Sequence, residues 1–200
     1  MLNSPEINHD YFFNFKPIII KNFFTEEEIK SIYQSREDGI TLIPDEAFGF
    51  ITYTDAFTEQ VENKIVNVVQ QYAPFKVMRW GNHMPRYTLK SQSQPQLLPH
   101  YDTGLDRAAL TLSIQLESTL PWQICVGQEC FTLERNDAVL FSGSHQIHWR
   151  PKIVFSETDY YDILVAQVVQ DTENPLTLDQ DHRDRMSKEA DNLFTLRLEN

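Results

Sequence analysis

The sequence predicts one mainly-β domain, a sandwich or barrel with two N-terminal helices packed against it. Three observations carry that reading. The 200 residues are enough for one well-cored domain and too few for two of ordinary size. The apolar and charged fractions, 41% and 23%, are those of a globular chain rather than a disordered one. Beyond Pro74, short runs rich in Val, Ile, Thr and aromatic residues alternate with turn residues, which is the texture of an all-β region.

In chain order, Pro17-Ile18-Ile19-Ile20 is a β-branched run that reads as a buried strand. Thr25 and Glu28 stand at capping-box spacing, and Glu26, Glu27 and Glu28 suit the positive end of a helix dipole. Ile29, Ile32 and Tyr33 follow at helical spacing, so a helix is expected from about Thr25 to Arg36. Phe57, Val61, Ile65, Val68 and Val69 give a second amphipathic helix that ends near Tyr72, before Pro74. The expected strands are then Phe75 to Trp80, Arg86 to Leu89, Ala109 to Leu116, Trp122 to Val126, Cys130 to Leu133, Ala138 to Phe141, Ile147 to Val154 and Tyr161 to Val169. Turns are expected at Gly127-Gln128, at Glu134 to Asp137 and at Ser142-Gly143-Ser144. Thr111, Ser113 and Gln115 alternate with Leu110, Leu112, Ile114 and Leu116, so one face of that strand is buried and the polar face is expected in solvent. From Thr172 the chain is polar, with a short helix expected around Arg185 to Phe194. The layout is thus a single domain over 1–200, with a strand and supporting helices in 17–72, a β core in 75–169 and a polar tail in 172–200.

Acidic residues outnumber basic ones, 29 against 17, and the net charge of −12 repels a phosphate backbone. With no basic patch to override that field, general nucleic-acid binding is disfavoured. The apolar runs, Pro17 to Ile20 among them, are too short to cross a bilayer. Met1 to Tyr11 lacks a charged-then-apolar secretory pattern, so a cytoplasmic protein is expected. Cys125 and Cys130 are too few for a disulfide framework or a zinc site and read as two small buried residues in a reducing compartment.

The residues that suggest chemistry are His100, Asp102 and His148. In an extended strand, residues two apart face the same way, so His100-Tyr101-Asp102 presents an imidazole and a carboxylate together. His148 closes a facial triad if the sheet curls. Two imidazoles and one carboxylate leave three octahedral positions open, which suits non-haem Fe(II). His145 is the rival for the third position. His9, His83 and His182 lack partners at useful spacing and are expected to be exposed, while Trp122 and Trp149 are expected in the core or a pocket wall.

The segments Met84-Pro85-Arg86-Tyr87, Leu98-Pro99-His100-Tyr101-Asp102, Asn136 to Gly143 and His148-Trp149-Arg150-Pro151 resemble the iron- and 2-oxoglutarate-dependent dioxygenases of the prolyl 4-hydroxylase-like branch. Pro17 to Ile32 resembles that family's opening strand and helix, so the likeness runs from Pro17 to Val169. It implies a double-stranded β-helix, or jelly roll, with a metal near one open end. His100, Asp102 and His148 would be the Fe(II) ligands, and 2-oxoglutarate and O2 the cosubstrates. An amino acid, a peptide or a small molecule would be the substrate. An aspartate at position 102 implies hydroxylation rather than halogenation, because glycine or alanine there would free a site for halide. The sequence departs from the family at Glu157 to Tyr160, where many members carry a basic residue for the far carboxylate of 2-oxoglutarate. Arg150, which shares the parity of His148, is the expected substitute. Lys152 and Arg107 are next, and the Tyr87 hydroxyl is a further expected donor. An oxygenase of the same fold that does not use 2-oxoglutarate, and a non-enzymatic metal-binding jelly roll, are the alternatives.

Overall fold

A computed structural model of the chain describes residues 7–38, 40–41, 51–54, 57–89, 95–102 and 106–198. Helix α1 (His9–Phe13) is capped by Asn8, whose side chain accepts from the Tyr11 amide. Strand β1 (Ile18–Ile20) leads to helix α2 (Glu26–Asp38), where the capping box forms. The Thr25 amide donates to Glu28 Oε2 at 2.7 Å, and the Glu28 amide donates to Thr25 Oγ1 at 3.2 Å. Two short strands, β2 (Ile40–Thr41) and β3 (Ile51–Thr54), precede helix α3 (Glu59–Gln70), which starts at the Thr58 cap and buries Val61, Ile65 and Val69. The β region follows as β4 (Val77–Thr88), β5 (Leu97–His100), β6 (Ala109–Ser118), β7 (Gln123–Val126), β8 (Glu129–Thr132), β9 (Ala138–Phe141), β10 (His148–Arg150) and β11 (Tyr160–Gln170). Helix α4 (Gln180–Leu198) comes last.

Among the described residues the strands form two antiparallel sheets. The larger has seven strands in the order β1-β9-β6-β11-β4-β3-β2, and the smaller has four in the order β5-β10-β7-β8. This is the jelly roll. Leu110, Leu112, Ile114 and Leu116 of β6 join Leu140, Leu164, Ala166 and Val168 to form the outer face of the larger sheet. Phe12, Ile29, Ile32, Val61 and Ile65 of the helices pack onto that face.

The opposite face of β6 corrects the expectation of solvent. Thr111, Ser113 and Gln115 are 2%, 2% and 4% exposed. They look toward the smaller sheet, where buried polar atoms must find partners.

Other boundaries shift for local reasons. The expected strands Phe75 to Trp80 and Arg86 to Leu89 merge, but for Phe75, Lys76 and Leu89, into one continuous strand, β4. The expected Ile147 to Val154 strand is only three residues, because Pro151 has no amide to continue the ladder. The strand bearing His100 ends at His100, so Asp102 lies just beyond it. The C-terminal helix is longer than expected. It buries Met186 and Ala190 against Tyr101, Cys125, Ile147 and Trp149, which accounts for a helix in so polar a stretch.

The cysteines are corrected too. Cys125 and Cys130 face each other across the β7–β8 hairpin and are joined by a disulfide, with Cα atoms 4.0 Å apart. Cys130 is exposed rather than buried. Gly127 makes the turn between them with φ of +59°, a conformation that favours glycine. No described helix is long and apolar enough to cross a membrane.

Candidate metal centre

Sheet pairing places the two histidines. His100 ends β5, His148 begins β10, and they are register partners with ring centroids 4.1 Å apart. Each Nδ1 approaches the carbonyl two residues upstream, Leu98 O at 2.8 Å and Gln146 O at 3.0 Å. A carbonyl only accepts, so each Nδ1 carries the proton and each Nε2 presents a lone pair. Such outer bonds fix tautomer and ring orientation at metal sites.

Asp102 is held from two sides. Its amide donates to Gly143 O at 2.9 Å, and the Thr111 hydroxyl donates to its Oδ2 at 2.5 Å. The other oxygen, Oδ1, lies 3.6 Å from His148 Nε2 and 4.0 Å from His100 Nε2. Bonds of about 2.1 Å to one ion place neighbouring octahedral ligands about 3 Å apart, so a small inward adjustment completes the set. Burial pushes the Asp102 carboxyl up, but His148, His100 and the Thr111 hydroxyl together outweigh it and hold it below its ordinary value. Burial, with His100 alongside, pushes His148 down and favours its neutral form, the form in which an imidazole can hold a metal.

Gly143 lies against this site, although the sequence marks it only as a turn residue at the end of the Asn136 to Gly143 segment. A Cβ there would lie 2.0 Å from Asp102 Oδ2 and 2.2 Å from Thr111 Oγ1. Glycine is required by close approach, and nothing in a single sequence distinguishes that from a turn.

Arg150, two positions after His148, is 1% exposed, and its charge acts on His148. Its Nη1 donates to Trp122 O at 3.1 Å, Nη2 lies 3.5 Å from Ser113 Oγ, and the guanidinium sits over Trp122 and Tyr161. Its Nε is buried without a partner, and among the described residues no carboxylate comes within ion-pair distance of it. Tyr87 is buried in the same compartment, edge-on to Trp122 at 4.9 Å and opposite Tyr161 in the sheet. The Tyr161 hydroxyl lies 2.6 Å from Gln115 Oε1. Sequence reasoning missed Ser113, Gln115 and Tyr161, although the alternation that carries the first two was legible.

The other basic candidates lie outside this compartment. Lys152 is exposed. Arg107 stacks on Trp80 at 4.9 Å and lies 3.5 Å from Asp106. Asp162, two positions beyond the Glu157 to Tyr160 stretch, is fully buried and bound by Arg86 at 2.9 Å and the Tyr33 hydroxyl at 3.1 Å.

His145 is not in the triad. It packs with His9 and His182 in a separate group, so the expectation that His9 and His182 are isolated and exposed is corrected: His182 is 8% exposed and His9 half-buried. His83 is half-buried on β4.

No protein-family model and no curated protein matches the sequence. Solved structures do match in shape. An oxidoreductase of the 2OG-Fe(II) oxygenase family from Burkholderia pseudomallei is 9% identical, covering 86% of this chain and 92% of its own, with a TM-score of 0.63. HygX from Streptomyces hygroscopicus, solved with nickel and 2-oxoglutarate bound, is 13% identical over 84% of this chain and 89% of its own, with a TM-score of 0.59. A prolyl hydroxylase from Trichoplax adhaerens, solved with a hypoxia inducible factor peptide fragment, is 12% identical over 90% of both chains, with a TM-score of 0.56. The chain therefore has the fold of the Fe(II)/2-oxoglutarate oxygenase superfamily.

Proposed function

We propose that the protein is a non-haem Fe(II)- and 2-oxoglutarate-dependent dioxygenase that hydroxylates an amino acid, peptide or small molecule, with O2 as the second cosubstrate. His100, Asp102 and His148 would hold the iron. Arg150 would hold the far carboxylate of 2-oxoglutarate, with Tyr87 in the same compartment. Bound iron, with the keto acid and O2, would supply the oxidising power for the C–H bond. The chain's own residues present two imidazole Nε2 atoms and one carboxylate oxygen, keep Asp102 ionised and surround the site with buried side chains.

The observation that carries this reading is Arg150. A guanidinium buried without a counter-ion costs several kcal/mol unless an anion joins it. A dicarboxylate chelated at the triad would bring that anion to the strand that carries both His148 and Arg150. The guanidinium also offers two parallel donors, which match a carboxylate.

The test is anaerobic titration of 2-oxoglutarate into Fe(II)-loaded protein, followed by the metal-to-ligand charge-transfer band. The wild type should develop the band, and Arg150→Ala should need more than tenfold higher 2-oxoglutarate to reach it. An Arg150→Ala variant that binds as tightly as wild type overturns the assignment. A wild type with no band directs the function to an oxygenase of the same fold that does not use 2-oxoglutarate.

A further inference from the structure

His9, His145 and His182 come from three distant stretches of chain: α1, the turn before β10, and the first turn of α4. One coordinating nitrogen of each lies within 4.8 Å of the other two. His9 Nδ1 and His145 Nε2 are 2.9 Å apart, and the three ring centroids are separated by 5.2, 4.9 and 5.1 Å. His145 and His182 are 3% and 8% exposed.

The hydrogen bonds around the rings show which lone pairs are presented. Ser144 Oγ lies 3.2 Å from Ala109 O, which can only accept, so its hydroxyl proton goes there. It therefore accepts from His145 Nδ1 at 2.8 Å, and the His145 Nε2 lone pair points toward His9. His182 Nε2 is buried with no hydrogen-bond partner. Its other nitrogen lies 3.2 Å from Nη2 of Arg185, an exposed side chain that is free to swing into solvent.

We infer that His9, His145 and His182 form a second metal site, separate from the His100–Asp102–His148 triad, for a borderline divalent cation such as Zn2+. Three neutral imidazoles are a donor set that Zn2+ accepts, leaving one tetrahedral position for water. Zn–N bonds of about 2.0–2.1 Å set ligand nitrogens about 3.3 Å apart, so the His9–His145 pair needs only slight widening. Capture at either nitrogen of His182 releases the Arg185 contact, because that ring then either loses its Nδ1 lone pair to the metal or carries a proton on Nδ1. The ion would fasten α1 and α4 to the turn that leads into His148.

The experiment uses the full chain carrying His100→Ala and Asp102→Ala, so that the outcome is independent of the proposed iron site. Equilibrium dialysis against Zn2+ should give one zinc per chain in this background. Adding His182→Ala should weaken binding more than tenfold, or abolish it. Co2+ in the same background should show the d–d absorption of a tetrahedral site, lost on adding His9→Phe, which keeps a flat ring and serves if His182→Ala does not fold. Arg185→Ala should bind zinc at least as tightly as the background. Failure of the background to bind zinc, unchanged binding after His182→Ala or His9→Phe, or loss of binding in Arg185→Ala would each overturn the site and leave a stacked aromatic cluster.

Discussion

Arg150 and Gly143 are the two positions where single atoms decide most. The Arg150 guanidinium is buried with no carboxylate in ion-pair reach among the described residues, which is unfavourable in the ligand-free protein, and replacing a buried charge by an apolar group of similar volume is often neutral or stabilising. Arg150→Met should therefore leave unfolding free energy in denaturant unchanged or higher while still weakening 2-oxoglutarate more than tenfold. A structural role alone would move both in the same direction. Gly143→Ala places a carbon where Asp102 Oδ2 and Thr111 Oγ1 now sit. Fe(II) affinity, measured by competition with a chelator, should fall about 10–100-fold, as it does when outer partners of a metal ligand are disturbed, with secondary structure by circular dichroism retained. His100 and Asp102 could be picked out as candidates from their local spacing and His148 from its neighbours, and the structure brings the three together; the parity of Arg150 with His148 was equally legible. Gly143 was not, because the atoms that crowd it come from Asp102 and Thr111.

Among the elements, α2 shows how one side chain can serve two purposes. Glu28 completes the capping box with Thr25 and also accepts from Lys64 Nζ of α3 at 2.6 Å. Burial pushes its carboxyl up, but Lys64 and Thr25 outweigh that and hold it below its ordinary value. A carboxyl depressed in the folded state contributes stability above its unfolded pKa, about 4.5 here, and loses it as pH falls through the folded value. Glu28→Gln should thus cost about 1 kcal/mol at pH 7, and the gap from wild type in urea unfolding should close by pH 3. A gap as large at pH 3 as at pH 7 would assign the cost to shape rather than charge. Helix α2 was written plainly in its cap and periodicity, and α3 in its periodicity. The alternation in β6 was also plain, but alternation cannot say which face meets a second sheet, and that is why Thr111, Ser113 and Gln115 were placed in solvent. Helix α4 was under-read because the stretch is polar overall, and the described positions it buries, Met186 and Ala190 among them, stand among charged residues.

For the molecule as a whole, the work is divided between the sheets: the smaller carries His100 and His148, and the larger supplies Thr111, Ser113 and Gln115 beneath them. Helix α4 covers the outside of the smaller sheet through Met186, which is 2% exposed. Met186→Ala should cost about 2–5 kcal/mol, measured by denaturant unfolding, whereas a loss below about 0.5 kcal/mol, typical of surface positions, would mean that the helix adds little to the core. The jelly roll was legible from strand spacing and the family resemblance. The grouping of His9, His145 and His182 was not, since no local pattern records that α1, a turn and α4 meet.

The register pairing of His100 with His148 also bears on how the protein would gain and lose its ion. Each ring is tied to a backbone carbonyl by its own strand end, so the gap between them is set by the sheet and not by the ligand. Stripping the centre should then be a matter of access rather than of unfolding: apoprotein should keep its structure through repeated cycles of chelation and refilling, and the rate of recapture should not wait on any refolding step.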